Sequence, residues 1–375
     1  MGSAGGRNAS TPFKLDHWLS KARFATPPIL YDLAASTGPK WTVRELLALG
    51  EGASLDDTIL GYSSPEGSRP LRDAIGAFLG VDPDWVVITL GASEAFSILL
   101  CTAARTGANV VLPHPGYPAF DPVAGVWGLD VRHVRLSREH GFRQRAEDVL
   151  KAVDDRTAVA LVNTPQNPAG TVMPREEIET LAAALHRKGA SLIVDEVYHP
   201  LYFGEQQVSA AAIPNVNVMG DMSKALSLAG LRLGWLVERD PKRREQMIDA
   251  RGYFTISSSP LLERLAVHAF ANREVLLSRL HAVASENLAV LSDFMERASD
   301  VLGWAGPEGG TVCFPWFLDG RDSRPFCEAL AANGVPVAPG DCFGKPEHMR
   351  LGFALLKREK FFEGLAIFER VLREQ

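Results

Sequence analysis

Cysteine is scarce in this 375-residue chain, which has four, and Cys101, Cys313, Cys327 and Cys342 are scattered, with no CxxC pair and no histidine at ligand spacing. That pattern argues against a zinc site, so no metal is expected, and against the disulfide framework of a secreted domain; it points to a reducing, cytoplasmic setting. Basic blocks are also missing: 39 Lys+Arg stand against 45 Asp+Glu, a net charge of −6. Nucleic acid and anionic membrane surfaces are therefore poor partners, and small molecules are better ones. No apolar run reaches the ~18 residues that cross a bilayer, and the opening MGSAGGRNAST has neither the basic nor the apolar region of a secretion signal. It reads as part of a flexible tail over residues 1–14. Internal repeats and low-complexity segments are absent. Length is not lacking: it suffices for about two domains and for burying about three quarters of the unfolded surface.

Short apolar runs ending in turn chemistry recur: VVIT (86–89), NVVLP (109–113), AVALVN (158–163), SLIVDE (191–196), VNVMG (216–220) and GWLVE (234–238). Between them lie helix-length stretches such as GASEAFSILLCTAART and PREEIETLAAALHRKG, the second acidic in its first turn and basic in its last, as a helix dipole prefers. This alternation predicts an α/β fold, a mostly parallel sheet covered by helices on both faces. Residues 261–298 have helical periodicity and lead to a second unit with strand-like GGTVCFPWF (309–317) and MRLGFA (349–354).

Four polar clusters fall where strands should end, the edge at which open α/β sheets bind ligands. Gly91, Ala92 and Ser93 follow one strand and open a helix, where free N–H groups can receive a phosphate or simply form a cap. Asn167, in NTPQNPAGT, is an amide in a rigid turn, a ligand donor or a turn support. Asp195 ends an apolar run, a costly place for a carboxylate unless it meets a cation or donors, and Tyr198 follows it. Lys224, with Arg232 eight positions on, lies among small and aliphatic residues; it is either a solvated charge or a nucleophile kept partly dry. Pyridoxal 5′-phosphate would use all four clusters. The lysine would form a Schiff base with its aldehyde, the aspartate would keep the pyridine nitrogen protonated, Asn167 and Tyr198 would bind the ring hydroxyl, and Arg232 with the helix start would neutralise the phosphate.

The string SKALSLAGLRLGW (223–235) resembles the lysine signature of fold-type I, class I/II aminotransferases, and YSSPEGSRPLR (62–72), HPGYPAF (114–120), NPAGT (167–171), DEVY (195–198), PEGGTVCFPWF (307–317), MRLGFA (349–354) and STGPKW (36–41) agree with it in order. The resemblance implies a three-layer α/β/α large domain with a smaller α+β domain, divided as an N-terminal arm with part of the small domain over 15–45, a large cofactor domain over 46–280 and a small domain over 281–375. It implies Lys224, Asp195 and Tyr198 as catalytic residues. Gly91, Ala92, Ser93, Tyr117, Asn167, Ser223 and Arg232 would hold the cofactor, Tyr117 by stacking on its ring, and Tyr62 would reach the phosphate of a neighbouring subunit. Gly38, Asn167 and Arg350 would bind substrate, Arg350 through the α-carboxylate. A homodimer with shared sites follows, moving an amino group from an amino acid to a 2-oxo acid in a ping-pong cycle.

One position departs: three residues before the lysine the family has Ser or Thr, and this chain has Asp221. It would turn away from a phosphate, pair with a cation, or mark altered cofactor handling; Ser223 and the serines at 257–259 are candidate replacement donors. An alternative outcome is a lyase or cyclase, because LDHWL (15–19) and SSSPLLERLAVHAF (257–270) look similar to the capreomycidine synthase-like branch. A non-catalytic cofactor-binding protein is a third reading, disfavoured by the retained lysine and by the lack of a basic N-terminal segment. His114 and His199 read as pocket-tuning groups, and Trp41 as a packing residue beside Gly38.

Overall fold

A computed structural model describes residues 12–26 and 28–374. Its centre is a seven-stranded sheet: β1 (Val86–Thr89), β2 (Asn109–His114), β3 (Asp130–Arg135), β4 (Thr157–Asn163), β5 (Ser191–Asp195), β6 (Val216–Asp221) and β7 (Gly234–Val237), in the order β1-β7-β6-β5-β4-β2-β3. The pairs β3/β2, β2/β4, β4/β5 and β5/β6 are parallel, and β7 runs antiparallel to both β6 and β1. Six of the strands coincide with the apolar runs, because they are buried on both faces. β3 has no such run: DVRHVR has a single buried residue, as suits an edge strand whose charges discourage further pairing.

Alternate strand residues feed two cores. Val87, Leu161 and Ile193 face the helix Ala92–Ala103 and its Phe96 and Leu99. Val162 and Val194 point the other way, to the side covered by Ile178, Leu181 and Leu185 of the helix Arg175–Arg187, and Ile88 on the same face packs against Gly67. The period of two in the strands thus builds the three-layer α/β/α architecture.

The C-terminal unit holds a three-stranded antiparallel sheet in the order Ala338–Pro339, Met349–Gly352, Val312–Cys313. The strand expected over 309–317 is two short ones, Val312–Cys313 and Trp316–Phe317, parted at Pro315, which has no N–H to give a ladder. The helical stretch 261–298 belongs to Pro260–Ala271 and Arg273–Arg297, separated at Asn272. Of the tail expected over 1–14, residues 1–11 lie outside the described residues, and Lys14 already opens a helix, Lys14–Arg23. Its Leu15 and Trp18 are buried, and Trp18 Nε1 donates to Val337 O at 2.8 Å. A segment so anchored is part of the fold.

Candidate active site

The carboxyl ends of the parallel strands open on a cavity of about 960 Å³, at the edge where such sheets leave a crevice. Asn163 ends β4 and pairs in register with Asp195 at the end of β5; Asp221 ends β6. Lys224 stands three residues further, and its Nζ donates to Ser36 Oγ at 2.8 Å. Ser36 belongs to the N-terminal segment, and its carbonyl accepts from Thr311 Oγ1 at 2.9 Å. Three distant parts of the chain thereby hold one lysine.

Ala92 and Ser93 line one wall of the cavity as the start of the helix Ala92–Ala103, whose first N–H groups have no helical acceptor. Arg232, with φ of 49°, sends Nη1 to Ser223 Oγ at 3.3 Å and to Ala229 O at 3.2 Å. Gly91 has φ of +85°, and a Cβ there would lie 2.7 Å from Arg232 Nη2. Residue 91 therefore has two reasons to be glycine, its left-handed backbone and the guanidinium it must admit. Asp221 Oδ1 accepts the Ser223 N–H at 2.8 Å, bracing the turn that carries Lys224. The serine run supplies no donor to this cavity; Ser258 Oγ accepts from Arg251 Nη2 at 2.7 Å.

Asp195 is buried, and Val197 N donates to its Oδ1 at 3.1 Å. Burial, aided by the like charges of Asp221 and Glu196, pushes its carboxyl up to about 7, against the opposing pull of the Val197 N–H and Lys224. Tyr117 packs edge-on against Phe13 (6.1 Å between ring centres) and Phe120 (5.6 Å). The Tyr198 hydroxyl is buried with no protein hydrogen bond of ordinary geometry, although the Ser36 and Thr311 hydroxyls stand beside it. Arg350, 1% exposed, donates through Nη1 to Asn167 Oδ1 at 3.3 Å and through Nη2 to Ala34 O at 2.9 Å, while its Nε has no partner. Both acceptors are neutral, and burial pulls the guanidinium pKa below its ordinary value. A buried cation with only neutral acceptors and one orphaned donor is suited to an incoming carboxylate.

A pyridine ring carrying a phosphate arm fits this set of groups. Asp195 is a buried acid whose raised pKa a ring N–H⁺ would relieve; Tyr198 offers an unused hydroxyl, Tyr117 an aromatic face, Lys224 an amine, and Ser223, Arg232 and the helix start a set of anion donors. Two expected residues lie apart. Tyr62 is 86% exposed, and Gly38 packs away from the cavity, where a Cβ would lie 2.2 Å from Ser227 Oγ and 2.4 Å from Leu280 Cδ1. His199 is bonded to the Tyr202 hydroxyl at 2.9 Å, and His114 packs on His133, 5.0 Å between ring centres; neither lines the cavity. Sequence reasoning assigned no part to Ser36, Asp32, Phe13 or Arg279, all of which do.

Comparison with known proteins identifies the family of the chain. A model of the family described as aminotransferase class I and II matches residues 31–367. The chain is 30% identical over 361 residues to capreomycidine synthase of Streptomyces vinaceus, covering 94% of this chain and 91% of that one. To the valine–pyruvate aminotransferase of Mycobacterium tuberculosis it is 32% identical over 356 residues, 88% of this chain and 87% of that one. A solved structure of the pyridoxal-phosphate-dependent cyclase OrfR superposes with a TM-score of 0.88 at 27% identity, over 99% of this chain and 100% of that one. With the lysine, the buried aspartate and the anion cradle in one cavity and the family match running from residue 31 to residue 367, the chain belongs to the class I and II aminotransferase family and has pyridoxal 5′-phosphate as its cofactor.

Proposed function

We infer that the protein moves an amino group from an amino acid to a 2-oxo acid in a ping-pong cycle. The observation that carries this reading is Arg350, buried with only neutral acceptors in the cavity that also holds Lys224. The cofactor supplies an electron sink for the pair of electrons released at the substrate Cα. The residues do the rest. Arg350 takes the α-carboxylate by a two-point contact and so orients the Cα–H bond. The Lys224 amine, held in the cavity by Ser36, would be the base that takes the Cα proton. With the cofactor bound, Asp195 would keep a proton on the pyridine nitrogen, and Asn167 and Tyr198 would hold the ring oxygen. Arg232, Ser223, Ala92 and Ser93 would hold its phosphate.

Mixing the cofactor-loaded protein with single amino acids, without any oxo-acid acceptor, tests this. Expected is one equivalent of 2-oxo acid per site, the cofactor left aminated, and recovery on adding an oxo acid. A second reading is favoured by the relatives named for capreomycidine synthase and for a cyclase: the same Cα electrons expel a β- or γ-substituent, or admit an internal nucleophile. Release of a cyclised or eliminated product with the cofactor returned unchanged would decide for that reading.

The working unit in this proposal is a homodimer. Ile59, Leu60 and Tyr62 are at least 80% exposed, as is Tyr253, and Arg251 ties the two segments together by bonding both Pro65 O and Ile256 O. Adjoining exposed apolar side chains of this size mark an interface, and in the dimer Tyr62 serves the partner's phosphate. Sedimentation should give twice the chain mass; a fully active monomer would refute it. The unpaired state of all four cysteines supports a cytoplasmic location.

A further inference from the structure

The wall of the anion cradle carries a carboxylate that the chemistry above does not use. Asp221 ends β6, lines the cavity and is 9% exposed. A closed ring of contacts places it in the cradle. Its Oδ1 accepts the Ser223 N–H at 2.8 Å, and Ser223 Oγ accepts from Arg232 Nη1 at 3.3 Å. Arg232 Nη2 lies against Gly91, and Gly91 abuts Gly234, where a Cβ would meet the Gly91 carbonyl carbon at 2.7 Å. Gly234 is the register partner of Asp221 across β6 and β7. Asp221 thus shares one wall with the groups that offer donors to a phosphate: Ser223, Arg232 and the start of the helix Ala92–Ala103. Among the described residues its Oδ2 takes no hydrogen bond and forms no ion pair. Its charge favours the protonated forms of Asp195 on β5 and of Tyr117. Lys224, on the same turn, donates to Ser36. Glu94, in the first turn of the helix, adds a second carboxylate, whose Oε2 accepts the Leu90 N–H at 2.6 Å and lies 4.0 Å from Arg251 Nε.

We propose that Asp221 makes the cradle hold the cofactor phosphate in its singly charged form, with one proton shared between the phosphate and the Asp221 carboxylate, so that cofactor affinity depends on pH. The charges decide this. Arg232 supplies one positive charge and the helix start about half of one, so a phosphate dianion beside Asp221 leaves this wall about 1.5 charges negative, and one retained proton reduces that to about 0.5. Two anions at one desolvated site do not both ionise as freely as each does alone. The second ionisation of a free phosphate monoester lies at ~6, and the neighbouring carboxylate raises it in the complex. The complex keeps a proton that the free cofactor releases, so affinity is full at about pH 6 and below and falls as pH rises through the bound value. The proposal rests on the cofactor and not on the transamination reading.

Phosphorus NMR of the holoenzyme reads the phosphate without turnover. Expected in the wild type is a titration between about pH 6 and pH 8 with its midpoint above that of the free cofactor. In Asp221→Asn, whose amide oxygen keeps the bond from the Ser223 N–H, the resonance should stay at the dianion position over that range. Calorimetry of the apo-protein with pyridoxamine 5′-phosphate, which has no aldehyde to engage Lys224, gives a second reading. Asp221→Asn should bind it about 10-fold more tightly than the wild type at pH 8 and nearly equally at pH 6, and phosphate-free pyridoxamine should show no such gain. A wild-type resonance at the dianion position throughout, a midpoint at or below that of the free cofactor, the same titration in Asp221→Asn, or an equal gain for pyridoxamine would overturn the proposal. If Asp221→Asn does not fold, the wild-type midpoint decides alone.

Discussion

Lys224→Ala is expected to abolish transamination, with turnover reduced at least about 1,000-fold, because one side chain is both the covalent tether and the proton carrier between Cα and the cofactor. The loss should fall on kcat. Cofactor would still bind through Arg232, Ser223 and the start of the helix Ala92–Ala103, whose donors do not depend on the lysine, and an added small amine should restore part of the rate. Ser36 adds a check, since it shares a 2.8 Å hydrogen bond with the Lys224 amine: Ser36→Ala should lower kcat by a smaller factor. Appreciable turnover in Lys224→Ala, measured by oxo-acid release, would remove the lysine from the mechanism.

Asp195→Asn should lower turnover about 100- to 1,000-fold, because an amide cannot hold the pyridine nitrogen protonated and the buried charge pair is lost. A second readout is independent of activity. In the cofactor-free protein the Asp195 carboxyl is raised to about 7, chiefly by burial, whereas in the unfolded chain it titrates near ~3.9. Between those values the folded state holds a proton that the unfolded state releases, so stability present at low pH is lost as pH rises through 7. The wild-type apo-protein should therefore melt progressively lower than Asp195→Asn between about pH 4 and pH 7, by at most a few kcal/mol, and the gap should level off above. Bound cofactor, by supplying the ring N–H⁺, should shrink the gap. Parallel melting curves for the two apo-proteins would show that Asp195 is not the strained acid described here.

Much of the fold was legible because strands buried on both faces leave a simple trace, a mostly apolar segment of four to seven residues. β3 left none, since an edge strand with charged side chains looks like a loop. One strand end was legible for a related reason: Asp195 interrupts an apolar run where a polar residue needs a purpose. Pro315 dividing Val312–Cys313 from Trp316–Phe317 was visible as a residue but not as a boundary.

The site divides the same way. Lys224, Arg232, Asp195 and Asn167 carry their signal locally, in the apolar or turn context of their immediate neighbours, and the amino-acid sequence by itself determined that a lysine, a buried acid and an anion cradle would lie at strand ends. What meets them was decided by tertiary structure. Ser36 bonds Lys224 across 188 residues and Ala34 bonds Arg350 across 316, Phe13 packs on Tyr117, and Arg279 reaches the cavity from a helix whose residue pattern shows only its own amphipathic face. Periodicity and capping act over a few residues and so can be read along the chain. The partner of a buried charge is chosen by the packing of whole layers, and no local pattern encodes it.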